Sequence, residues 1–211
     1  MEPADAADSI NEVADESATS HADERFRGAA ALLIAILAML LAITSLGGGN
    51  VTEDMILANI HSSDTWAFYQ AKNVRQTQYK IALDELELRL VTDTLSDEAR
   101  RQIEKRIADY RSTIERYESE PDPKAPSDPL KGEGKKELKA QAIDWERQRD
   151  AAQVKDPNFD YAEVLFQIAI VLGSVSILAK SKGILWLSAG VGVVALVLMS
   201  NGFTGFFQLP F

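Results

Sequence analysis

Few residues in this chain have both the type and the setting to do chemistry. Glu163 lies at the edge of an uncharged run, with Gln167 about one turn deeper. A carboxylate held in mid-bilayer would point to proton or ion translocation. Asp160-Tyr161-Ala162-Glu163 follows Pro157, however, and a D-x-x-E start of this kind resembles a capping box. Glu163 is therefore expected to start a helix rather than to move a proton. The two histidines, His21 and His61, are far apart and the chain has no cysteine. Disulfides and thiolate metal sites are excluded, and no imidazole cluster is offered. No acid, base or nucleophile falls in a recognisable constellation, and there is no phosphate loop, so neither an enzyme nor a bound cofactor is expected.

The elements around these residues are set by three uncharged runs: Gly28 to Leu46, Val164 to Ala179, and Gly183 to Phe211. About 18 to 20 apolar residues in a helix cover the ~30 Å of hydrocarbon in a bilayer. Three membrane helices are expected, over residues 28–46, 161–179 and 183–201, with an aromatic C-terminal tail at 202–211. Net charge is −10, and it is unevenly placed: residues 1–27 hold eight acids against Arg25 and Arg27. That segment, poor in large apolar residues, is expected to be a disordered acidic tail. No basic patch exists for nucleic acid. The lipid bilayer is the first expected partner.

Arg25 and Arg27 precede the first run, and Lys180 and Lys182 lie between the second and third. Positive residues in short flanks stay cytoplasmic. The N-terminus is thus expected inside the cell and residues 50–160 outside the membrane's inner face. Small residues recur along each run: Ala31, Ala35, Ala38 and Ala42 in the first; Ala169, Gly173 and Ser176 in the second; Ser188, Gly192 and Ala195 in the third. Such stripes let helix backbones approach closely in lipid, within one chain or between chains.

Residues 47–160 are expected to be a water-exposed helical domain. Thr52 to about Val91 reads as one helix, capped by Thr52 with Glu53 and Asp54 in its first turn. Forty residues would span about 60 Å. Ser96, Asp97 and Glu98 start a second helix, with Ile103, Ile107, Tyr110, Ile114 and Tyr117 on one stripe. The short link between them predicts a long antiparallel, coiled-coil-like hairpin. Pro121, Pro123, Pro126 and Pro129, with Gly132 and Gly134, form a linker over 121–134, and a third helix follows from about Lys135 to Lys155. Gly47-Gly48-Gly49 is expected to bend the chain where it leaves the first span, either as a plain exit loop or as a working hinge. The fold class is an all-α membrane protein.

Ser63-Asp64-Thr65-Trp66-Ala67-Phe68-Tyr69-Gln70-Ala71-Lys72-Asn73-Val74-Arg75 resembles the signature of a bacterial membrane family known as domain of unknown function 4337. Leu165-Phe166-Gln167-Ile168-Ala169-Ile170, the lysine-bearing turn with Trp186, and the ending Asn201-Gly202-Phe203 resemble further motifs of that family. The resemblance implies a small inner-membrane protein of Gram-negative bacteria, with a helical domain between spans and no known activity; the charge pattern above would put that domain in the periplasm. On a helix, Ser63, Trp66, Gln70 and Asn73 share one face, and Asp64, Phe68 and Lys72 another. Together with Tyr69 they form a candidate packing or interaction face, since buried Trp and Tyr need hydrogen-bond partners. The expected role is a non-enzymatic membrane-anchored scaffold that self-associates as a homo-oligomer and meets an envelope protein partner. The other role considered is a sensor or accessory subunit of an envelope transport system.

Overall fold

The computed structural model describes residues 23–207 with their side chains. It contains four helices: α1 (Pro3–Thr92), α2 (Asp97–Glu118), α3 (Lys135–Leu178) and α4 (Lys182–Thr204). No strand occurs among the described residues. The side chains of residues 1–22, most of the tail expected to be disordered, and residues 208–211 of the aromatic tail lie outside the described residues. Asp23 to Arg27 are helical. Three helices are long and apolar enough to cross a membrane: α1, α3 and α4.

Two expected breaks are absent. Gly47-Gly48-Gly49 lies inside α1, which has no interruption before Thr92, so the expected bend and the separate helix start at Thr52 are both corrected. Asp160 and Glu163 lie inside α3, so they start no helix. The segment from Lys135 and the second apolar run are one element, with Pro157 in its interior. Proline cannot donate to the preceding turn. Its neighbour Asn158 turns its side-chain amide onto the Val154 and Lys155 carbonyls, at 3.4 and 3.3 Å.

The chain divides into two units, Met1–Thr52 with Ala152–Phe211, and Glu53–Ala151. In the first, a core of Leu37, Ala162, Phe166, Ala169 and Ala195 joins α1, α3 and α4. Gly173 lets Ile34 approach, since a Cβ there would lie 2.9 Å from that side chain; at Gly192 it would lie 2.5 Å from Leu37. The Ser188 hydroxyl donates to the Ala169 carbonyl at 2.6 Å, tying α4 to α3. Phe159, fully buried, packs edge-on against Phe203 and fills the room left by Gly47, Gly48 and Gly202. A Cβ at Gly47 or Gly202 would meet these rings at 2.7 and 2.8 Å. Two of the three consecutive glycines are thus packing residues, not a bend.

Both ends of this unit are pinned. At the α3–α4 turn Lys180 takes positive φ (50°), and the Ser181 N–H reaches back to the Ser176 carbonyl in a Schellman-like closure. Lys180 Nζ pairs with Asp23 at 2.5 Å. In the last turn of α4, Asn201 receives the Phe207 N–H and donates to the Phe207 carbonyl, and it donates again to Asn158 at 2.7 Å.

In the second unit α2 starts where expected, with Ser96 accepting from the Ala99 N–H. Its contacts with α1 run in opposite chain order: Gln76 with Glu118, Tyr79 with Tyr117, and Glu87 with Arg111. The expected linker is a folded loop rather than a loose one. Backbone bonds close it at Glu133–Glu120 and Asp122–Lys131, and Asp122 and Asp128 side chains cap its inner turns. Gly134 is required there, because a Cβ would meet the Glu120 nitrogen at 2.3 Å.

Candidate functional site

The signature segment sits on α1 inside the second unit, where helical spacing divides it between an inner and an outer face. Ser62, Trp66, Tyr69, Lys72 and Gln76 follow one another at intervals of four, three, three and four, and turn inward. Such spacing keeps side chains on one side of a helix. The Ser62 hydroxyl donates to the Ala142 carbonyl of α3 at 3.4 Å, and Trp66 Nε1 donates to Glu146 Oε1 at 2.8 Å. Trp66 meets Tyr69 edge-on, and His61 stacks on Trp145 with ring centres 4.7 Å apart.

Lys72 is the most enclosed charge of the segment, only 5% exposed. Its Nζ donates to the Glu133 carbonyl and to Glu120 Oε2, the latter at 3.4 Å, and lies over the Phe68 and Tyr117 rings at 5.2 and 5.8 Å. A buried ammonium needs this kind of saturation with oxygen and aromatic faces. Gln76 is 1% exposed and uses both ends of its amide. It donates to the Ile114 carbonyl and to Glu118, each at 2.9 Å, and accepts from Lys135 Nζ at 2.8 Å. These bonds from Gln76, then Lys135, hold the Glu118 carboxyl below its ordinary value.

Glu137 closes the network one turn into α3. Burial pushes its carboxyl up. The Ser119 hydroxyl at 2.6 Å and the Glu120 N–H at 3.1 Å outweigh that and bring it below the ordinary value. The end of α2, the folded loop and the start of α3 are thereby tied to one stretch of α1. Every buried side-chain nitrogen or oxygen among the described residues has a partner.

The structure separates the residues singled out from sequence. Trp66, Tyr69 and Lys72 face inward, whereas Ser63, Asp64, Phe68, Gln70 and Asn73 are exposed. Neither expected face is a unit: Trp66 parts from Ser63, Gln70 and Asn73, and the buried Lys72, over the Phe68 ring, parts from the exposed Asp64. Ser62, Gln76, Glu118, Glu137 and Glu146 were not anticipated. For Ser62 and Gln76 a signal was available in the seven-residue series Ser62, Tyr69, Gln76, Leu83 and Leu90, in which polar members look like gaps; Glu118, Glu137 and Glu146 carry none. In the apolar unit, Ala31, Ala35, Ala38 and Ala42 are exposed within this chain. The inward face of α1 is instead Ala30, Leu37, Thr44 and Gly47. Ala169, Gly173, Ser176, Ser188, Gly192 and Ala195 are buried between helices. Arg25, Arg27 and Lys182 are exposed, and Lys180 pairs with Asp23.

A shallow depression of about 410 Å³ beside Lys72 is lined by Glu120, Pro121, Asp122, Pro123, Gly132 and Glu133. Two of its carboxylates already face Lys72. No group of three His, Cys, Asp or Glu side chains among the described residues is placed to hold a metal ion.

The sequence pattern of one family runs through both units, from Phe26 to Gly205. The chain belongs to the family described as domain of unknown function (DUF4337). The DUF4337 region, residues 26–205, takes in all four helices' described packing and leaves most of the acidic tail outside. No curated protein and no solved structure matches the chain.

Proposed function

We propose that this protein is a non-enzymatic scaffold, anchored in the bacterial inner membrane by three spans, that self-associates and presents its polar helical unit to an envelope partner. The observation that carries this reading is the closure of the signature segment on the protein itself. Lys72, Gln76 and Glu137, the groups best placed for chemistry, are bonded to one another's neighbours rather than aimed into a cleft. Such a network fixes shape. The opposite chain order of the α1–α2 contacts supports an antiparallel, coiled-coil-like seam as the rigid part of that shape.

The apolar unit, which would lie in lipid, supports the proposed sidedness. Asp23 touches Lys180, so Arg25, Arg27, Lys180 and Lys182 gather at one end of it. Short basic flanks favour the cytoplasm, which would leave residues 50–160 in the periplasm. The sensor or transport-subunit reading leaned on a glycine joint together with the length of the helix beyond it, and the joint is the part the structure alters. Gly47 and Gly48 pack against Phe159 within a helix, and that support is gone.

Chemical crosslinking in native membranes tests the proposal. Oligomers, or an adduct with an envelope protein, are expected. A protein recovered only as an unlinked monomer across a range of crosslinker lengths would overturn it. Reporters fused at residues 125 and 211 test the sidedness, with both expected on the periplasmic side.

A further inference from the structure

A second line runs along α1, on the side away from its own partners. Ile60, Ala67, Val74, Ile81 and Leu88 recur every seventh residue. All are exposed, with Ile60 at 48%, Val74 at 57%, Ile81 at 63% and Leu88 at 62%. Scattered surface aliphatics are ordinary, but five on one line are not scattered. The inner series Ser62, Tyr69, Gln76, Leu83 and Leu90 has the same period, and α2 and α3 cover it. A seven-residue period makes a helix supercoil around a neighbour. The outer line keeps a constant offset of two residues from the inner one, so it stays on one side of the supercoiled helix along its length. Nothing among the described residues of this chain covers it.

We infer that this outer line is the seam by which two copies of the chain pair, in parallel and in register, through α1. The inference rests on the proposed scaffold reading and names its partner and surface. Spans in one membrane would give every copy the same direction, which makes the pairing parallel. Identical residues then stack in layers, and β-branched Ile60, Val74 and Ile81 suit a two-stranded coil at such positions. The flanks agree in charge. In a parallel pair the residue before each layer faces the residue four after it on the other helix. Around Ile81 these are Lys80 and Glu85 of the second copy, an attraction made twice; around Val74 they are Asn73 and Gln78, an amide pair. No like-charged pair arises at these flanking positions. The layers between the apolar ones are polar, Ser63, Gln70, Thr77 and Asp84, and Asp84 is the one charged residue that would face its own counterpart.

The chain has no cysteine, so single cysteines can be read without background. Full-length Val74→Cys and Ile81→Cys proteins are oxidised in native membranes, beside Asn73→Cys and Arg75→Cys, which point about 100° to either side. The seam places the first pair within disulfide range and not the second, so dimer formation should be faster by an order of magnitude or more at Val74 and Ile81. Adding Ile81→Glu to Val74→Cys should suppress it, and adding Asp84→Ala should speed it. All these positions are exposed, so none empties a core. Equal rates at the four positions, no dimer at Val74 and Ile81 in protein that remains in the membrane, or an adduct there with a different protein would each overturn the seam. The last two would leave the anchored scaffold standing. Cysteine variants recovered in the aqueous fraction would instead overturn the anchoring and the seam together.

Discussion

In the unit formed by Met1–Thr52 and Ala152–Phe211 the helices meet through what is missing from their side chains. Gly47, Gly173, Gly192 and Gly202 each leave a hole that one neighbour, Phe159, Ile34 or Leu37, fills. In the unit Glu53–Ala151 the helices meet through polar side chains, with Lys72, Gln76 and Glu137 enclosed and each satisfied by two or more partners. The difference follows from the solvent each sequence suits. Between apolar helices in lipid, packing distance is the main source of attraction, so small residues gather at contacts. In water, burial already drives association, and an enclosed polar network decides which arrangement forms.

The comparison can be broken at its strongest point first. Phe159→Ala empties the pocket shared by Gly47, Gly48 and Gly202, and should cost about 3–5 kcal/mol. Thermal unfolding in detergent, followed by near-UV signal, should show the loss. Gly134→Ala should destabilise the second unit by about 2–3 kcal/mol, because its Cβ meets backbone that cannot move aside. Gln76→Ala should cost about 2 kcal/mol in chemical denaturation, since Lys135, Glu118 and the Ile114 carbonyl each lose one partner. Lys72→Met should cost about 1–2 kcal/mol, because an apolar chain of similar length keeps the contacts with Phe68 and Tyr117 but leaves the Glu133 carbonyl without its donor, while the Glu120 and Glu133 carboxylates can turn to water. A large loss with Lys72→Met would mean that the ion pairs themselves hold the unit together.

The smallest effect is with pH. Glu118 and Glu137 have folded-state values below the ordinary 4.5. The unfolded chain therefore binds protons first as pH drops, and the stability these groups lend is fully present above that value. It is lost as pH falls through their lowered values. A stability profile of the purified protein from pH 6 to pH 3 should decline only in its acidic part. A decline already complete at pH 5 would contradict the two carboxyl assignments.

Much of this contrast could be read from the sequence. Uncharged runs marked the three apolar helices, and Ser96 with Asp97 and Glu98 marked the start of α2. The failures have common causes. Gly47-Gly48-Gly49 and Pro157 are helix breakers by local preference, yet both lie within helices, the glycines because Phe159 and Phe203 need their space. Tertiary packing overrode propensity there. Ala31, Ala35, Ala38 and Ala42 were the wrong stripe for in-chain contact because every residue from 29 to 43 is apolar, and periodicity cannot there rank one face above another. Ser62 and Gln76 were missed for the converse reason: a polar residue in an apolar stripe looks like an interruption until its partner is known. Glu137 and Glu146 supply such partners from far along the chain, a pairing that spacing alone does not reveal.

The account depends most on the apolar unit residing in lipid while the charged unit remains in water. Washing membranes from cells that express the untagged protein with alkaline carbonate, then sedimenting them, tests this directly. The full-length chain should stay in the pellet and be released only by detergent. Recovery of the intact chain in the carbonate supernatant would contradict the account.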